Sequence, residues 1–190
     1  DLYEKAVAGT LTWEDVDSAS WYTSSVTSSS GYIYPSIWLD NLFGTGVGNT
    51  KKTISDLSTV TKDQSYAVMM NALIVGQCDV CVGYSDIRKD AASTESFEAA
   101  YADAIASGEY ATVWDIIKIV GVSPYIMNDT ISAGTSEKMT PELIADLQDI
   151  FTNMTADDLL MVKPYSHAGY VVGTDADYDG ARQANKIFAE

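Results

Sequence analysis

The stretch DQSYAVMMNALIVGQCDVCVGY, Asp63–Tyr84, decides the class of fold. Its first part is an apolar run with a start signal at Ser65 or Asp63 and a stop at Gly76, which spells a helix. Its second part, CDVCVGY, is a short apolar run of the kind buried on both faces of a sheet. A helix feeding a buried strand is half of a βαβ unit, and βαβ units imply a parallel sheet with helices on its faces.

Reading outward, SWYTSS (Ser20–Ser25) and TISDLSTVT (Thr53–Thr61) read as further strands. Between them, Ile33, Ile37, Leu39 and Phe43 recur at helical spacing, and Pro35 is tolerable only in a first turn, so a helix over 32–43 begins right after a cluster of serines. GTGVGN closes that helix. Upstream, DLYEKAVAG reads as a short helix and TLTWEDVDSA as a capped turn or helix. Downstream, Ser93–Ile117 holds an acidic, Ala-rich helix and room for a second. IIKIVGVSPYIMNDTISAG supplies two strand-like pieces around a turn. TPELIADLQDIFTNM is a helix started by Thr140, Pro141 and Glu142, and DADYDGARQANKIFAE is a terminal helix. The expected fold is α/β, a parallel-type sheet flanked by helices. It occupies about 13–135, with a helical C-terminal part at 136–190, in one 190-residue lobe.

Composition narrows the partners. Eleven Lys and Arg against 27 Asp and Glu give a formal charge of −16, which excludes nucleic acid and anionic membrane surfaces. No apolar run approaches the roughly 20 residues that span a bilayer. Cys78 and Cys81 are the only cysteines; residues three apart on a strand point to opposite faces, so they read as buried thiols rather than a redox or zinc pair. The single histidine, His167, lacks a partner at catalytic or metal spacing and reads as structural or surface. No cofactor or metal is expected.

The chemistry concentrates in SVTSSSGYIYP, Ser25–Pro35. One serine suffices to cap a helix; three, with Gly31 and the N–H of Tyr32, leave surplus donors that point one way. In open parallel sheets, ligands bind outside the carboxyl ends of strands, where the next helix presents its N-terminus. Ser28, Ser29, Ser30, Gly31 and Tyr32 could therefore wrap an anion without a lysine, using the helix dipole; a serine-rich loop with a simple cap is the plainer alternative. Ser65 and Tyr66 open the next helix. Asp86 and Asp129 sit at comparable strand ends and would suit a cation such as an ammonium group, unless they are turn or cap residues.

Three blocks in order, TSSSGYIYPSIWL, QSYAVMMNALIVGQCDVCVGYSDIR and VSPYIMNDTIS with TPELIADLQDIF, resemble the second lobe and C-terminal part of the phosphonate/phosphate-type substrate-binding proteins of ABC transporters, the PhnD-like group. The S-x-S-G-Y-x-x-P element is the most specific part. The resemblance implies one lobe of a type II periplasmic binding protein. It also implies a non-enzymatic, extracytoplasmic chain in the periplasm or at the cell surface, lipid-anchored in the full-length protein. Its partners would be an ABC permease, a phosphonate or phosphate-like ligand, and the family's N-terminal lobe, which nothing in this chain resembles. On the family pattern Ser28, Ser29 and Ser30 hold the phosphonate oxygens, and Tyr66 stands where a histidine makes a second contact. Asp86 falls where aminoalkylphosphonate binders have an acid for the amine, and Asp129 is a possible second such acid. An enzyme on the same fold, of the thiamine-precursor-synthase kind, and an extracellular interaction domain without a small ligand remain open alternatives.

Overall fold

The computed structural model describes residues 1–44, 51–84, 86–91, 95–110, 112–127, 130–134, 136–155, 157–158 and 169–188. Among them the sheet has three strands, β1 (Trp21–Tyr22), β2 (Val60–Thr61) and β3 (Val80–Cys81), in the order β2-β1-β3. Both pairings are parallel, with Trp21 opposite Val60 and Val80, and Tyr22 opposite Thr61 and Cys81. The fold is the expected α/β arrangement, a parallel sheet flanked by helices.

Local signals account for most helix starts. α1 (Leu2–Ala8) stops at Gly9, whose φ of +67° favours glycine. Before α2 (Trp13–Asp17) the Thr12 hydroxyl accepts from the Asp15 N–H while the Asp15 carboxylate accepts from the Thr12 N–H, a capping box. α3 (Tyr34–Phe43) carries Pro35 in its first turn. α4 (Tyr66–Ile74) is capped by Ser65, whose Oγ accepts from the Val68 N–H at 3.3 Å, and is followed by Gly76 at φ +72°. So of the two expected caps, Ser65 serves.

The strands are shorter than their apolar runs because side chains and turns take over the backbone groups. The Asp79 carboxylate accepts from the Ser20 N–H (2.8 Å) and hydroxyl (2.6 Å), closing the lower end of β1. The expected strand over 53–61 is interrupted by a 3-10 turn, Ile54–Asp56, started by a second capping box between Thr53 and Asp56. That T-x-x-D spacing was visible in the sequence.

Helices cover both faces. On one, Val16, Trp21, Tyr32, Leu39, Ile54, Leu57 and Val82 form a core beneath α2 and α3, and the Trp21 indole donates to the Val16 carbonyl at 2.7 Å. On the other, α4 meets α5 (Arg88–Ala91), α6 (Glu95–Ala100), α7 (Ala102–Ser107) and α8 (Val113–Ile116) around Met70, Ile74, Phe97 and Val113. The strand-like pieces expected over 116–134 are not strands among the described residues. Over 117–127 no strand partner is found among the described residues: Val122 and Tyr125 are exposed, and Gly121 passes so close to the Trp38 ring on α3 that a Cβ would not fit.

The chain divides into two compact units, Asp1–Ile126 with Gly180–Glu190, and Met127–Asp179. The second contains α9 (Pro141–Thr152), whose Thr140 cap accepts from the Leu143 N–H at 3.3 Å, and an edge-on Phe151–Tyr170 ring contact. α10 (Asp179–Phe188) brings Phe188 to within 6.4 Å of the Tyr32 ring in the first unit.

The ion pair of Lys5 with Asp15, at 2.6 Å, generates a pH prediction. Hydrogen bonds from Lys5 and from Thr12 hold the Asp15 carboxyl down to about 2. A carboxyl lowered in the folded state stabilises above its ordinary range, and that stabilisation is lost as pH falls through the folded value. Asp15→Asn keeps the shape of the cap, so its melting temperature should lie below wild type at pH 7, with the gap closing between about pH 4 and pH 2. Thermal melts across that range measure it; a gap independent of pH would assign the loss to packing instead of charge.

Candidate functional site

Because the strands are parallel, their exits share one edge of the sheet, and β1 lies between its two partners, so connections leave it to both sides. The exit of β1 leads into the serine turn, that of β2 into Ser65 and Tyr66, and that of β3 into Tyr84 and Asp86. Backbone bonds gather the first two: the Gln64 N–H donates to the Thr23 carbonyl at 3.0 Å and the Asp63 N–H to the Ser24 carbonyl at 3.4 Å.

The serine turn differs from expectation. Helical structure starts at Ser29, earlier than Tyr32, as a π turn over Ser29–Ile33 that runs into α3. Ser28 is its cap: the hydroxyl accepts from the Gly31 N–H at 3.1 Å and the carbonyl accepts from the Ile33 N–H at 3.0 Å. The wide turn depends on Gly31, which is buried; a Cβ there would stand 2.5 Å from the Ser24 Cβ and 2.9 Å from the Ser28 Oγ. The N–H groups of Ser29 and Ser30 and the Ser29 hydroxyl find no partner among the described residues, and Ser29 is exposed. Tyr32 is buried in the core with its ring, so its contribution to a site is backbone only.

Tyr66, the first residue of α4, reaches across to this turn. Its hydroxyl lies 2.8 Å from the Ser30 Oγ and 3.3 Å from the Ser28 Oγ. Its ring meets that of Tyr84 from the third exit in a T-shaped contact, centroids 5.0 Å apart and planes at 86°. The structure thus brings Ser28, Ser30 and Tyr66 together and leaves Ser29 facing outward beside them. Ser65 is exposed and spends an oxygen lone pair on its cap.

Asp86 is placed at the end of the β3 exit with φ +38°, in the left-handed region. Both its oxygens are engaged by Arg88, Nε to Oδ1 at 2.7 Å and Nη2 to Oδ2 at 3.2 Å, while Nη1 donates to the Ile117 carbonyl at 3.1 Å. Arg88 first, then a hydrogen bond from Trp114, hold the Asp86 carboxyl below its usual range. Asp129 and His167 lie outside the described residues. Sequence reasoning missed Tyr84 and Arg88. For Arg88 the D-x-R spacing at a turn was a signal; Tyr84 meets Tyr66 only because the β2 and β3 exits converge over β1, which no local pattern announces. Cys78 is buried and Cys81 rests against the Met70 sulfur at 3.7 Å; burial raises the thiols to about 11 and about 12, so neither is a nucleophile at neutral pH.

A family model described as "ABC transporter, phosphonate, periplasmic substrate-binding protein" matches residues 5–178. The chain belongs to this family. No match was found among curated proteins or among solved structures. Membership of a periplasmic binding-protein family places the chain outside the cytoplasm and gives it a transport role beside an ABC permease. Among the described residues no helix is long and apolar enough to cross a membrane.

The turn's geometry predicts unequal costs for two small changes. Gly31→Ala must push Ser24 or Ser28 aside and should cost roughly 1–3 kcal/mol. Tyr66→Phe removes one half-buried hydroxyl and should cost only about 0.5–1.5 kcal/mol. Urea unfolding of both variants checks the order; a Gly31→Ala protein as stable as wild type would show that the turn opens freely.

Proposed function

We propose that this chain binds the oxyanion head of a phosphonate or phosphate-like ligand in the serine turn and hands it to an ABC permease. The observation that carries the reading is the cluster of Ser28, Ser30 and Tyr66 hydroxyls beside the N–H groups of Ser29 and Ser30, which have no partner among the described residues. All are neutral donors, and they lie at the start of a helical run, where the backbone dipole favours negative charge. If the Tyr66 hydroxyl donates to Ser30, the Ser30 proton is released toward a ligand and strengthened by the chain of bonds. Tyr66 thereby supplies a contact in place of the family's histidine, through a hydrogen bond and without a charge.

A phosphonate offers three oxygens on a tetrahedral phosphorus, which matches a turn that presents hydroxyls and N–H groups from consecutive residues. Closure by a second lobe would cover the ligand's other face and expel water, and lipid anchoring would keep the binder near its permease. A lobe that leaves one face of its ligand in water would bind more weakly than one whose ligand is covered on both faces.

Calorimetric titration with phosphate and methylphosphonate tests the reading. A hydrogen bond from a hydroxyl to a charged oxygen contributes about 1.5–3 kcal/mol, so Ser29→Ala and Ser30→Ala should each weaken binding tenfold or more. Tyr66→Phe should weaken it less, since its hydroxyl acts partly through Ser30. Unchanged affinity in both serine variants would remove the cradle from the site.

A further inference from the structure

The third strand exit says what kind of substituent the ligand carries. An amine reader must offer a carboxylate whose charge is open to an incoming ammonium. Asp86 does not: Arg88 grips it through two nitrogens, at 2.7 and 3.2 Å. Both partners are mostly shielded, with side chains 26% and 15% exposed, and Arg88 is itself tied to the Ile117 carbonyl. A forked guanidinium–carboxylate pair is close to neutral as a unit, and an ammonium has to break it before gaining from it. The left-handed backbone at Asp86 is held in place by these same bonds, so releasing the carboxylate also frees a strained residue.

What the β3 exit does present beside the hydroxyl cluster is an aromatic ring. Tyr84 is 42% exposed and its ring stands perpendicular to that of Tyr66, the residue that bonds Ser28 and Ser30. A phosphonate seated on those hydroxyls has its carbon substituent one bond from the phosphorus, and Tyr84 is the exposed ring that touches a member of the cluster, Tyr66. Ring faces favour alkyl groups through apolar contact.

We propose that the site selects phosphonates with an uncharged alkyl substituent over aminoalkylphosphonates, with Tyr84 as the residue that contacts the substituent and Asp86 as a structural anchor of its loop. The proposal rests on the oxyanion reading above and deepens it. It gives Asp86 a role the family pattern does not: the Asp86–Arg88 pair fixes the loop that carries Tyr84.

The test compares phosphate, ethylphosphonate and 2-aminoethylphosphonate on the wild-type protein by calorimetry, at 0.15 M salt to screen the chain's net charge. Ethylphosphonate is expected to bind at least as tightly as its amino counterpart. Tyr84→Ala is expected to weaken ethylphosphonate roughly three- to tenfold, the worth of one or two methylene contacts, while changing phosphate less than about twofold. A wild-type preference for the amine of more than about threefold, the scale of a partly exposed ion pair, overturns the proposal. Asp86→Asn and Asp129→Asn then identify the acid responsible. Equal effects of Tyr84→Ala on phosphate and ethylphosphonate also overturn it, by making Tyr84 a support for Tyr66 alone. Failure of all three ligands to bind would instead sink the oxyanion reading on which it rests.

Discussion

Everything at the candidate site hangs from the hydrogen bonds on the two sides of β1. The Trp21 and Thr23 N–H groups donate to Thr59 and Thr61, both at 2.9 Å, and the Ser20 carbonyl accepts from Asp79 and Val80, both at 3.0 Å. A strand with only two ladder residues could slip in register, and a slip of one would turn Trp21 out of the core. The anchors against that are side chains: Trp21 is bonded to Val16 from within the core, and Asp79 clamps Ser20 at the strand's lower end. With β1 fixed, the three exits cannot avoid one another, and Ser30, Tyr66 and Tyr84 meet without any of them being close in sequence.

The electrostatics suit a donor site made of dipoles. A chain with a formal charge of −16 repels anions at long range, yet its most acidic surface features are locally consumed. Asp15, Asp79, Asp86, Asp158 and Asp177 each accept from neighbouring side chains, and each has its carboxyl lowered as a result. Four of the five sit in caps or turns, where the carboxylate serves the backbone. The cradle contains no carboxylate. Lys62, at the β2 exit and 5.8 Å above the Tyr32 ring, is a cation close to the turn that contains that tyrosine.

Much of this was legible in the residues. Caps announce themselves: Thr12, Ser65 and Thr140 start helices as their spacing to acidic or apolar residues says. The parallel sheet follows from the alternation around Asp63–Tyr84. The strand limits did not follow, because β propensity cannot tell a paired segment from one like 117–126 that is equally apolar but lacks a neighbour. Nor did the π turn, since the difference between starting a helix at Ser29 and at Tyr32 lies in the missing Cβ of Gly31 against Ser24, a contact seven residues away in sequence. Asp86 illustrates the reverse case. Its place at a strand end was readable, but its availability depended on a guanidinium two residues on.

The two thiols carry a consequence for how the chain matures. Outside the cytoplasm, free cysteines meet oxidants while the protein is still folding. A disulfide needs Cα atoms within about 7 Å of each other; Cys81 is the last residue of β3, and Cys78 lies two residues before that strand begins. A bond between Cys78 and Cys81 made before β3 pairs would bend the segment away from the sheet, deny β1 one of its two neighbours and scatter the strand exits. The order of events therefore matters: β3 must be seated, with Cys78 buried and Cys81 against Met70, before the oxidant arrives. Seating β3, which buries Cys78 and sets Cys81 against Met70, is the step that shields both thiols.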